Sequence, residues 1–156
     1  MKRVLVAILL VAFAVSGVIG CRAAQAQTPT PPPPTLDVAI QVTVKGGDLP
    51  MIIGTTNLPE GFLALAALRK DGKILARDHI EVHSGKFTAG PFSAGGAAYP
   101  PGTYGLSIDS PFTDLQPKAV QGAIGQDGMF LRGPLVTRDF LGNGRVVHFQ
   151  TQFEIR

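Results

Sequence analysis

Residues 62–82 read FLALAALRKDGKILARDHIEV, and whether they form a helix or a hairpin decides the fold class. Phe62 to Leu68 is rich in Ala and Leu and has helical propensity. It is only eight residues long to Arg69, however, and Lys70-Asp71-Gly72-Lys73 separates it from a second apolar run, Ile74 to Val82. Asp-Gly between two short runs is a hairpin turn, because both positions tolerate positive φ. The stretch therefore predicts two antiparallel strands, and the rest of the domain follows the same pattern.

Upstream, Leu36, Val38, Ile40, Val42 and Val44 alternate with Asp37, Ala39, Gln41 and Thr43, the period of a strand with one buried face. Lys45-Gly46-Gly47-Asp48 turns the chain into a shorter strand, Met51 to Thr56. Downstream, Phe87 to Phe92 is a short strand broken by Pro91, and Pro100-Pro101-Gly102 leads into Thr103 to Ile108. The segment 109–117 reads as irregular, and Ala119 to Ile124 and Met129 to Val136 as weaker strands. After the turn Leu141-Gly142-Asn143-Gly144-Arg145, Val147, Phe149, Phe153 and Ile155 point one way and His148, Gln150, Gln152 and Glu154 the other. About 7–9 short strands, frequent turns and no convincing helix predict an antiparallel, Ig-like β-sandwich. Pro101-Gly102-Thr103-Tyr104 resembles the entry strand of Ig-like and prealbumin-like modules of bacterial surface proteins. That likeness bears on architecture alone.

The first residues carry an address. Lys2-Arg3 precede Val4 to Val15, a run without a polar residue, and Val18-Ile19-Gly20-Cys21 follows. A charged start, an apolar run and small residues before a cut site make up a secretory signal. The last four residues resemble the lipobox of bacterial lipoprotein precursors. The resemblance implies cleavage between Gly20 and Cys21, a diacylglycerol thioether on Cys21 and an acyl chain on its new amine. Residues 1–20 are then the signal, 21–35 the lipidated Cys with its tether, and 36–156 the domain. Two other outcomes stay open. Ala24-Gln25-Ala26 fits an ordinary cut that secretes a soluble protein beginning near Gln27, and Val4 to Gly20 sits at the short edge of an uncleaved span. Arg22 is not the Asp that retains enteric lipoproteins at the inner membrane, which favours an outer-membrane destination in a host that has one.

Residues 28–35 read TPTPPPPT, a polyproline II segment that does not pack. Fourteen tether residues at about 3 Å each reach about 40 Å. From Leu36 onward eleven Lys or Arg face eleven Asp or Glu, so the net charge of +3 comes from Lys2, Arg3 and Arg22. A neutral domain offers no basic patch for nucleic acid. One cysteine in the chain excludes disulfides within it, thiolate clusters and dithiol redox motifs.

Chemistry-bearing residues are few. His79, Glu81 and His83 share one strand face while Ile80 and Val82 face the core. The outer two histidines lie about 13 Å apart, too far for one zinc ion. A metal site built from His79, Glu81 and a further ligand such as His148 is the alternative to a solvated polar face. None of Ser84, Ser93, Ser107 or Ser110 stands in Gly-x-Ser-x-Gly, and Gly122, Gly125 and Gly128 are not followed by the Lys-Ser or Lys-Thr of a phosphate loop. Asp109 and Asp114 flank a loop that also holds Phe112 and Leu115. These two, with Tyr99, are apolar residues in segments that read as exposed, a candidate partner-binding surface for a protein, peptide or polysaccharide. The expected class is a lipid-anchored, non-enzymatic envelope module with no cofactor beyond its covalent lipid.

Overall fold

The alternation that opens the domain is interrupted where the chain changes sheets. In the computed structural model, which describes residues 34–142 and 144–156, β1 (Leu36–Asp37) and β2 (Ile40–Lys45) are separate strands. The Asn57 side chain brackets the break, its Oδ1 accepting from Ala39 N at 2.9 Å and its Nδ2 donating to the Asp37 carbonyl at 2.6 Å. Val38 and Ile40 are buried and Asp37, Ala39 and Gln41 exposed, so the predicted face holds through the interruption.

The chain continues through β3 (Met51–Thr56), β4 (Leu63–Lys70), β5 (Lys73–Glu81), β6 (Lys86–Ala89) and β7 (Gly102–Asp109). It closes with β8 (Leu131–Arg132), β9 (Val136–Arg138) and β10 (Arg145–Ile155). A five-stranded antiparallel sheet, β5-β4-β7-β10-β9, faces a three-stranded one, β2-β3-β6. The pair β1-β8 is parallel, the exception to an otherwise antiparallel sandwich. The ten strands among the described residues exceed the expected number because the first run splits and Met129 to Val136 becomes two short strands around Gly133, whose φ is +100°.

The inner faces meet in one core. Ile40, Ile52 and Phe87 come from the smaller sheet, and Ala66, Leu68, Tyr104, Leu106, Ile108, Val147 and Ile155 from the larger. Phe87 lies flat over its register partner Gly54, where an added Cβ would stand 2.0 Å from the ring. The Tyr104 hydroxyl donates to the Pro100 carbonyl at 2.7 Å, the tyrosine corner that Ig-like sandwiches use to pin a strand entry.

Two expectations are corrected here. Ala119 to Ile124 is not a strand: α1 spans Lys118–Ile124. Pro117 opens it, Val120 and Ile124 bury one face four residues apart, and Gly125 at φ +79° ends it. The segment before it carries a 3-10 turn, Thr113–Leu115. Tyr99, expected at the surface, is 5% exposed: its ring packs at 5.7 Å from Tyr104 and its hydroxyl donates to the Ser93 carbonyl.

One buried side chain attaches this crossover to the sheet. Leu63 pairs with Glu81 on one side, but β7 begins its pairing with β4 only at Leu65↔Asp109. The other edge of Leu63 is filled by the Gln116 amide, which accepts from Leu63 N and donates to Leu63 O, both at 2.8 Å. Gln116→Ala should therefore cost about 2–4 kcal/mol, because two peptide groups lose their partners in a buried place. Gln116→Glu should recover under half of it, since a carboxylate does not donate to the carbonyl. An unchanged urea midpoint in the alanine variant would contradict the clamp.

Candidate functional site

The outer face of the five-stranded sheet can be laid out from its register, since residues directly opposite in antiparallel strands share a face. Running from β5 to β10, one row is His79, Leu65, Asp109, His148. A second is Arg77, Ala67, Ser107, Gln150, and on the same face Arg69, Gly105 and Gln152 form a third. The middle strands contribute small residues, Ala67, Gly105 and Ser107, while longer polar side chains rise on either side. A channel of about 630 Å³ results, lined among others by Arg69, Thr103, Gly105, Ser107, Gln150 and Gln152. Arg69 Nε donates to Ser107 Oγ at 3.4 Å, a long bond that keeps the guanidinium over the channel floor. Gln150 and Gln152 are exposed, so their amides stand ready for a ligand. The arrangement offers guanidinium, amide and hydroxyl groups in a row, suited to a polar ligand rich in hydrogen-bonding groups.

The histidines are placed as follows. His79, Glu81 and His83 point outward and Ile80 and Val82 inward, as the alternation predicts. His79 and His148 lie in one row but three strand spacings apart, about 14 Å, with Leu65 and Asp109 between them. They do not converge. His148 is engaged instead by Asp109, through its Nδ1. His83 sits between two carboxylates, Nδ1 at 3.1 Å from Glu60 and Nε2 at 3.7 Å from Glu81. Among the described residues no three His, Cys, Asp or Glu side chains gather as a metal-holding group. Cys21 and Gly20 lie outside the described residues.

A second surface of different character occupies one end of the sandwich. Phe112 packs against Phe140 with ring centroids 5.3 Å apart, and Phe140 is still 84% exposed. Leu115 and Leu141 beside them are 63% and 61% exposed. A shallow groove of about 290 Å³ runs among Ser110, Phe112, Leu115, Phe140 and Val146. Of the three residues read as a partner-binding surface, Phe112 and Leu115 meet here and Tyr99 does not. Phe140 and Leu141 were missed, although two large apolar residues directly before Gly-Asn-Gly stand in a turn too tight to bury them.

No protein-family profile, curated protein or solved structure matches the chain, so the reading of its function rests on these surfaces and on the amino terminus.

The titration of Glu60 is displaced by specific contacts. The Ser84 backbone N–H, donating at 2.6 Å, and then His83 hold its carboxyl below the ordinary value of 4.5. A carboxyl with a depressed folded-state pKa stabilises the fold above that ordinary value, and the contribution is lost as pH falls through the folded one. Stability curves of the native chain and Glu60→Gln should thus separate above about pH 4.5 and converge in stronger acid. Parallel curves across that range would exclude the contact as a source of stability.

Proposed function

We propose that the protein is a lipid-anchored, non-enzymatic module of the bacterial cell envelope, and that the polar channel on its five-stranded sheet binds a polysaccharide. The observation that carries the binding role is the low floor at Gly105 and Ser107, between Arg69 on one side and Gln150 and Gln152 on the other. Sugar hydroxyls are both donors and acceptors, and the Arg69 guanidinium, the amides of Gln150 and Gln152 and the Thr103 hydroxyl, which itself donates to Glu154, match them. The channel has no exposed aromatic platform among its lining residues, so each contact is a solvent-competed hydrogen bond. Affinity per site is accordingly modest, and many anchored copies facing one polymer raise it through effective concentration.

The anchor rests on the order of charge, apolar run and Val18-Ile19-Gly20-Cys21. Two or three acyl chains hold a protein on a bilayer where one chain holds it only marginally. In the native chain, intact mass of the membrane fraction should begin at Cys21 and include diacylglycerol and an acyl group, both lost in Cys21→Ala. A product beginning near Gln27 without lipid would show secretion instead.

The channel is tested by co-sedimentation with insoluble peptidoglycan as the polysaccharide probe. Gly105 tolerates a Cβ, whose nearest neighbour would be Arg69 Cβ at 3.7 Å, so Gly105→Gln fills the channel without disturbing the core. That variant and Arg69→Ala/Gln152→Ala should bind about tenfold more weakly than the native chain, the loss of one or two net hydrogen bonds. Equal binding by all three would remove the channel from the reading, and no binding by the native chain would remove peptidoglycan as its ligand.

A further inference from the structure

The apolar end of the sandwich is also the end from which the tether leaves. Leu36, where the first strand begins, donates its N–H to the Phe130 carbonyl at 2.8 Å and pairs with Leu131. Arg145, the first residue of β10, reaches the carbonyls of Met129 and Leu131 beside it, at 2.9 and 3.0 Å. From Arg145 the chain leads back through the β9–β10 connection, which carries Phe140 and Leu141, and one small cavity is lined by Phe112, Leu141 and Arg145 together. β7 ends at Asp109 here and leads into Phe112 and Leu115, while the β4–β5 turn at Asp71-Gly72 and the start of β7 lie at the opposite end of the sheet.

We infer that the patch formed by Phe112, Leu115, Phe140 and Leu141 inserts into the headgroup region of the membrane to which the chain is anchored, so that the domain is attached at two points. This rests on the proposed lipidation of Cys21. Fourteen residues separate that Cys from Leu36, so the exposed rings stay within about 40 Å of the bilayer and meet it at high effective concentration. Aromatic and aliphatic side chains on a rigid end loop are the composition of an interfacial contact. Charge does not drive the approach: Arg138 and Arg145 near the patch are matched by Asp114, Asp127 and Asp139. Apolar insertion does. With this end down, the Arg69–Gln152 half of the polar channel, beside the opposite end of the sheet, is directed away from the bilayer.

The chain has no tryptophan, which makes the test direct. Phe140→Trp places one indole on the patch, and Lys73→Trp places one on the exposed far hairpin. Each lipidated full-length variant is reconstituted in phosphatidylethanolamine/phosphatidylglycerol vesicles with and without brominated acyl chains, and its intact mass is recorded. The expected result is blue-shifted Phe140→Trp emission that loses most of its intensity to brominated lipid, beside unquenched Lys73→Trp. Adding Leu115→Asp and Leu141→Asp should abolish the quenching while leaving the lipidated mass unchanged. A lipidated chain whose Phe140→Trp emission ignores brominated lipid overturns the inference and leaves the anchor intact. Emission already blue-shifted without vesicles overturns it in favour of a protein occupant, and an unlipidated mass overturns the anchor and the inference with it.

Discussion

The crossover that leaves β7 depends on a side chain standing in for a strand. Gln116 completes the hydrogen bonding of Leu63 where β7 has stopped, and its own backbone carbonyl accepts from Gln121 Nε2 at 2.7 Å, which holds α1 to the same place. A second bond from that amide reaches the Asp114 carbonyl. With those contacts the segment 110–124 is fixed on the sheet edge, Val120 and Ile124 enter the core, and Phe112 and Leu115 are left outside it. The apolar end patch is thus a product of a polar clamp. A primary amide suits the position because it donates and accepts in one plane, as a peptide does.

The two faces of the larger sheet differ in what they carry. Inward residues form the common core with the smaller sheet. Outward residues carry the long polar side chains, and the short ones between them shape the channel. With one cysteine in the chain the fold has no disulfide, and its packing includes tight features such as Phe87 over Gly54 and the Tyr104 corner. Phe87 packs between the sheets, whereas Tyr104, whose hydroxyl Lys70 Nζ also reaches at 3.3 Å, borders the channel as well as the core.

Strand period was legible wherever one face is buried. The β3, β4, β5, β7 and β10 runs fall within a residue or two of the expected bounds, and the outward placement of His79, Glu81, His83, His148, Gln150 and Gln152 follows from alternation alone. The helix was missed because seven residues with two buried positions, Val120 and Ile124, carry as much strand as helix signal in a short apolar run. Gln116 gave no local sign at all: its role depends on where β7 ends relative to β4, a register relation. The channel is of the same kind, since Arg69, Gly105 and Gln152 lie on three strands far apart in sequence and become neighbours only through pairing. Phe140 and Leu141 were legible in retrospect, because a Gly-Asn-Gly turn leaves its flanking residues no interior.

The parallel pair at the start of the domain has a mechanical meaning. Any pull along the tether arrives at Leu36, where two backbone bonds to Phe130 and Arg132 and the two bonds of the Asn57 bracket carry it before the main sheets do. Releasing Leu36 to Ala39 would pay out about 13 Å of extra chain and unseat Val38, while β4, β7 and β10 keep their pairing. The entry strand is thus fastened separately from the two main sheets, and its release leaves their pairing intact.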